Sequence, residues 1–299
     1  MRRFILDYVY PHKQQNTTRK DTTMKATVNK NINVSFRTIT PSDAKKYLAT
    51  SERNRAINIR RVERYARDMV NGCWSPATLL IFDDDGHMVD AHHRMEAVVK
   101  ANVPVQMCVL TGLPKRYVPA IDTGRPRTAG DMLAFVDGLE GVGGLRNKAA
   151  IARLVLAMER CDMAFSPSYN EIADKMLEEI DLINKAYTAY GSIKTLGATV
   201  GVAAGVYRIY KANGYECKKF DEFWNQVASG EMLQSGMPAF ALRNAIFTNG
   251  RTKCGGGRQW ADVYFVLRAW SAYVANEQIR VMRRPKDIRL SEIAVAVVS

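Results

Sequence analysis

The sequence predicts an α+β protein, with a small α/β domain followed by an all-helical domain. Three observations carry this. Residues 33–138 alternate short β-prone runs with helical patterns, whereas residues 139–299 show helical spacing throughout. The composition, 47% apolar and 24% charged over 299 residues, is that of a globular chain long enough for two domains. Residues 1–32 are polar and basic and show no apolar periodicity after Tyr10, which predicts a basic flexible arm ahead of the first domain.

The elements follow in order. Asn33 to Ile39 alternates Val34, Phe36 and Thr38 with Ser35 and Arg37, as a strand does. Thr40-Pro41-Ser42-Asp43 is a helix start, with Thr40 as N-cap and Pro41 at the first helical position; Ala44, Tyr47 and Leu48 form its apolar face. A second helix spans about Asn58 to Asn71, with Ile59, Val62, Ala66, Met69 and Val70 at helical spacing and Gly72 as its stop. Ala77 to Phe82 reads as a strand, Asp84-Asp85-Gly86 as a hairpin turn and His87 to Asp90 as the return strand. Ala91 to Ala101 is a helix ended by Asn102, Val103 to Leu110 a strand, and Arg127 to Val136 a short helix that closes the unit. After a Gly-rich break at 141–144, helices are expected at Asn147–Glu159, Pro167–Tyr190, Ser192–Asn213, Phe220–Ala228, Pro238–Ile246 and Trp260–Asn276, with a last one from Ser291.

Charge and cysteine content narrow the class. Lys and Arg number 43 against 30 Asp and Glu, a formal +13, which favours a polyanionic partner, with nucleic acid first. Five scattered cysteines without a Cys-x-x-Cys pair suggest a reducing compartment and no disulfide framework. The longest apolar stretch, Thr195 to Tyr207, falls short of the roughly 20 residues a membrane span needs, so a cytoplasmic location is expected.

The segment with most chemistry is the hairpin that runs into a helix at Asp90-Ala91-His92-His93-Arg94. A helix N-terminus offers unpaired N–H groups and a positive dipole end, which hold anions. Arg94 adds a fork of donors suited to phosphate. His93 is able to move a proton near neutral pH, and Asp90 to orient an imidazole, hold a metal bridged to phosphate, or act as base. These residues also fit a plain helix cap with solvated histidines.

The segment Asp90-Ala91-His92-His93-Arg94-Met95-Glu96-Ala97-Val98 resembles the D-G-Q-H-R-L-x-A signature of the ParB/sulfiredoxin-like superfamily. The resemblance covers roughly residues 35–135. Thr40-Pro41 with Ala44 opens it, and Asn54-Arg55 is similar to the upstream N-R box. Tyr65-Ala66, Asp68-Met69, Gly72 and Trp74 are similar to the helix-then-G-x-W segment of phage and prophage members. Asp122-Thr123-Gly124 with Arg127-Thr128 and Asp131 resembles the D-x-G-x-x-R-[ST] segment. The resemblance implies a nucleotide-binding fold and a ligand such as CTP, ATP or ADP, with Mg²⁺ as a candidate companion. It implies contacts from Asn54, Arg55, His92, Arg94, Asp122, Arg127 and Thr128, with Asp90 and His93 as catalytic candidates. His92 stands where sulfiredoxins carry their catalytic Cys, which argues against that chemistry; the D-G-H-H-R box of a free-serine kinase is closer. Ala91 replaces the usual Gly, and an alanine there is expected to need a negative φ.

A second candidate surface is the basic stripe Arg60, Arg61, Arg64 and Arg67, three of which share a helix face that is able to track a phosphate backbone. Residues 243–289 carry ten basic side chains against three acidic ones, with Tyr264, Trp270 and Tyr273 among them at core spacing. Three readings stay open at this point: a nucleotide-binding, DNA-associated phage protein, a homodimer among its candidate forms; an enzyme acting at phosphorus, either a ParB-like nuclease or a hydroxyl kinase; and an interaction protein with a degenerate nucleotide site.

Overall fold

The computed structural model describes residues 31–51, 56–121, 127–251, 257–285, 288 and 295–298. The basic arm up to residue 30, Asn54, Arg55, Asp122 and residues 291–294 lie outside them; residues 295–298, where a helix from Ser291 is expected, are not helical, and the Ala296 carbonyl instead accepts from Trp270 Nε1 and Asn213 Nδ2.

The first unit is a four-stranded mixed sheet with three helices. Its strands are β1 (Asn33–Ile39), β2 (Leu79–Asp83), β3 (Met88–Asp90) and β4 (Val105–Leu113), in the order β1-β4-β2-β3. β4 runs antiparallel to β1 and parallel to β2, and β3 returns antiparallel on β2. Helices α1 (Pro41–Ala49), α2 (Ile59–Val70) and α3 (His92–Ala101) supply the rest. α1 begins where its signal lies, in a capping box between Thr40 and Asp43. Ile39, Leu80, Phe82, Met88, Val105, Met107 and Val109 meet Ala44 of α1, Val62, Ala66 and Met69 of α2, and Met95 and Val98 of α3 in one core.

This sheet buries one set of β1 side chains sparingly. Only Ile39 of β1 is buried, while Val34 and Phe36 are 56% and 62% exposed on the opposite face, as is Leu79 at 43%. The alternation identified which residues share a face; which face the helices cover is decided by β4, whose Val105, Met107 and Val109 point at the core.

The second unit is helical: α4 (Ala129–Leu133), α5 (Leu145–Glu159), α6 (Tyr169–Glu178), α7 (Ile180–Ile193), α8 (Val200–Asn213), α9 (Lys218–Ser229), α10 (Pro238–Arg251) and α11 (Gly257–Val274). Helix α8 is buried almost all round, so the Gly-rich apolar stretch is the central helix of this unit. Gly201 and Gly205 let it approach α11 closely: a Cβ at Gly201 would collide with the Gln259 carbonyl, and one at Gly205 would lie 2.9 Å from Val266 Cβ.

Three further expectations change. The helix expected over Pro167–Tyr190 is two, broken at Glu179, whose φ of −133° and ψ of 32° leave the helical region. The helix expected from Ser192 starts at Val200, because Gly197 at φ 88° terminates a short turn and Thr199 caps the new helix. The short helix near Arg127 does not close the sheet unit. Leu133 and Leu139 belong to the helical core, which moves the boundary from residue 138 to before α4.

The two units meet at α2 and the segment leading into α6. Arg67 Nε and Nη2 donate to the two carboxylate oxygens of Glu171, each at 3.1 Å, and Nη2 also donates to the Ser166 carbonyl at 2.6 Å. Asn170 Nδ2 donates to the Cys73 carbonyl at 3.4 Å, and Arg64 lies over the Tyr169 ring.

Candidate phosphate-binding corner

The corner is built by a hairpin, a left-handed residue and a helix. Asp83, 4% exposed, accepts from the Asp85 and His87 N–H groups at 3.0 and 2.7 Å, which closes the turn between β2 and β3. Asp83 therefore serves the hairpin rather than a cation. At the far end of β3, Ala91 adopts φ 92° and ψ 14° and is buried, and α3 starts at His92 with no capping side chain. The expectation of a negative φ at Ala91 is overturned. The chain has to turn sharply from β3 into α3, and the left-handed conformation does this although alanine pays for it in steric strain.

Four side chains surround this turn. Arg94 Nη2 donates to Asp90 Oδ2 at 2.5 Å, an i, i+4 pair across the strand–helix junction. His93 Nε2 accepts from the Asn58 N–H at 3.0 Å, so its Nε2 is the unprotonated nitrogen. The same Asn58 caps α2, its side-chain oxygen accepting from the Arg61 N–H at 3.1 Å. His92 Nε2 stands 3.8 Å from Glu96 Oε1. Among the described residues, His92 Nδ1 and Arg94 Nε are buried and have no hydrogen-bond partner. An orphaned buried polar atom is costly, and two at one helix N-terminus fit a group that brings acceptors to them.

Asn54 and Arg55 lie outside the described residues, but both flanks of their segment are tied to the corner. Ser51 Oγ donates to the Met88 carbonyl on β3 at 3.3 Å, and Asn58 holds His93 on α3. Asn58 and Ser51 were not singled out from sequence. Asn58 carried a readable N-cap signal, but its partner 35 residues away is a product of the fold.

The remaining candidates are placed differently. Thr128 is the N-cap of α4: its N–H and hydroxyl donate to Asp131 Oδ2 at 2.7 and 2.8 Å, and Asp131 N–H donates back to its hydroxyl. Arg127 lies over the Phe135 ring, 5.0 Å from its centre. Both belong to the helical unit, and Asp122 lies outside the described residues. In the basic stripe, Arg60 and Arg61 are exposed, whereas Arg64 and Arg67 are engaged at the junction between the units, with Tyr169 and Glu171. The stripe is therefore not a continuous solvent-facing row.

No group of three His, Cys, Asp or Glu side chains suited to a metal occurs among the described residues. A Mg²⁺ at this corner would arrive with phosphate oxygens, as this ion usually does. No described helix is long and apolar enough to cross a membrane. Comparison of the chain with family models, with curated proteins and with solved structures returns no match.

Proposed function

We propose that this chain binds the phosphate group of a nucleotide at the β3–α3 corner and associates with DNA, as a ParB/sulfiredoxin-like protein of phage type. One observation carries the reading: the uncapped first turn of α3 gathers the orphaned His92 Nδ1 and Arg94 Nε. Helix N–H groups, the helix dipole and a guanidinium together favour a phosphate dianion. The left-handed backbone at Ala91 adds support, since the resembling signature carries glycine there and glycine adopts that conformation without strain. The formal +13 supports the DNA half.

Binding takes precedence over phosphoryl transfer or nuclease chemistry. An acid–base mechanism needs Asp90 and His93 available, and here Asp90 holds Arg94 while His93 Nε2 holds the Asn58 backbone. A phosphate entering the corner competes with Asp90 for Arg94, so binding and release of Asp90 are coupled.

The test is a thermal-shift screen of CTP, ATP and ADP with and without Mg²⁺. A ligand of the native state adds about 2.7 kcal/mol at a hundredfold excess over Kd. The expected result is one stabilising nucleotide whose effect disappears in Arg94→Ala. Equal stabilisation of wild type and variant rejects the corner as the site.

A further inference from the structure

A second basic feature lies in the helical unit, far in sequence from the corner. Beyond α11 the chain folds back across α10. Ile279 is buried, and its N–H donates to the Gly236 carbonyl at 2.8 Å, forming an isolated bridge. The residues that follow form one wall of a cleft of about 450 Å³. Its floor is apolar, made by Ala241 and Ala245 of α10 and Phe265 of α11; Asn244 and Thr248 are exposed along one side, and Arg280, Arg283 and Arg284 are exposed along the other.

The three guanidinium groups have no carboxylate partner among the described residues. Among the described residues, the nearby acids are engaged. Asp262, 1% exposed, accepts from Thr199 N–H and hydroxyl at 2.8 and 2.7 Å and from Asn249 Nδ2 at 2.8 Å. Glu277 accepts from Arg268. Arg284 also packs against Gly257, the first residue of α11, so closely that a Cβ there would collide with its guanidinium. A cation at a helix N-terminus is unfavourably placed unless an anion joins it. Three arginines in five residues, without a carboxylate partner among the described residues, repel one another, and that repulsion is relieved by a bound polyanion. An apolar floor below a row of arginines matches a ligand with a flat apolar part and a phosphate, since the guanidinium fork pairs with phosphate oxygens and the floor removes the heterocycle from water.

We propose that this cleft is a binding site for nucleoside phosphate units, either in a single strand of nucleic acid or as free nucleotide. The proposal rests on the nucleic-acid half of the function proposed above and assigns that half to the cleft rather than to α2.

The test is fluorescence anisotropy on the full chain with labelled oligothymidylate and, separately, with fluorescently labelled ATP, across a salt series. The variants are Arg283→Ala/Arg284→Ala and, as a comparison, Arg60→Ala/Arg61→Ala; melting curves verify folding of each. The wild type is expected to bind the strand, with affinity falling linearly in log–log form with salt. The cleft variant is expected to lose at least tenfold in affinity and to flatten the slope by roughly two units, with the α2 variant close to wild type. Strand binding with weak ATP binding identifies the source as nucleic acid; weak strand binding with ATP binding that falls in the cleft variant identifies free nucleotide, and ATP binding equal in wild type and cleft variant without strand binding overturns the cleft. A wild type that binds the strand, with a cleft variant equal to it in both affinity and slope, overturns the cleft alone. A wild type that binds neither probe at low salt overturns the cleft together with the nucleic-acid half of the proposed function.

Discussion

Arg67 on α2 grips Glu171 on α6 through two parallel contacts of 3.1 Å, joining residues 104 apart in the chain. The pair is largely shielded, with side-chain exposures of 26% and 15%, and it sits beside the Arg160–Phe165 contact. Arg67 thus couples the sheet unit to the helical unit.

Removing that coupling has a measurable cost. Arg67→Ala is expected to lower stability by about 2 kcal/mol, the usual range for a hydrogen bond to a charged group. Arg67→Lys is expected to recover less than half, since an ammonium lacks the fork. Urea denaturation of both variants, of Glu171→Gln and of the double variant Arg67→Ala/Glu171→Gln, read as a double-mutant cycle, checks this. A coupling energy near zero would falsify the link between the units.

The pH dependence contains two opposed carboxylates. At the junction, burial pushes the Asp68 carboxyl above its ordinary value, with the nearby Glu171 charge adding to this against hydrogen bonds from Ser168 and Asn170. Its folded form binds the proton more readily than the unfolded chain. Its contribution is complete below the unfolded value of 3.8 and is lost as pH rises through the higher folded value. Asp68→Asn is therefore expected to raise stability at neutral pH, seen as a higher denaturation midpoint. A lower midpoint with unchanged slope rejects the assignment.

Glu179 behaves in the opposite sense. Burial raises its pKa, but hydrogen bonds from Lys211 and Tyr207 and the charge of Lys175 outweigh this and bring it below 4.5. Its contribution is present above 4.5 and disappears as pH falls through the lower folded value. Glu179→Gln is expected to lose stability at neutral pH and to flatten the acid limb of the stability curve below pH 4.5. An acid limb as steep as that of the wild type counts against it.

Ala91 offers a test of strain at the corner. A left-handed alanine costs roughly 1–2 kcal/mol, and glycine gives back part of this through unfolded-state entropy and a lost methyl contact. Ala91→Gly is expected to stabilise by about 0.5 kcal/mol, and Ala91→Val to destabilise by about 2 kcal/mol or more, because β-branched residues tolerate this region worst. Thermal midpoints of the three proteins in the order Gly, Ala, Val are the expected result, and any other order contradicts the strain.

The contact of α8 with α11 is equally specific. Gly201→Ala is expected to cost about 1–3 kcal/mol, since the new methyl meets the Gln259 carbonyl and the helices must separate. A calorimetric midpoint at or above the wild-type value rejects this.

Local signals were readable where the cause is local. The Thr40 N-cap, the Asp84-Asp85-Gly86 turn and the helical spacing of Val62, Ala66 and Met69 act within a few residues, so the sequence alone located those elements. The same holds for the β3-to-α3 passage that carries Asp90, His92, His93 and Arg94. Tertiary packing decided the rest. Whether Val34 and Phe36 or Ile39 faces the core depends on where the helices lie, because alternation is symmetric between the two faces. Asp90 was free to pair with either neighbour until the turn at Ala91 set Arg94 against it. His93 found the Asn58 backbone, and Arg67 found Glu171, across separations of 35 and 104 residues. Such long-range partners are chosen by the geometry of the folded backbone, and no spacing along the chain encodes them.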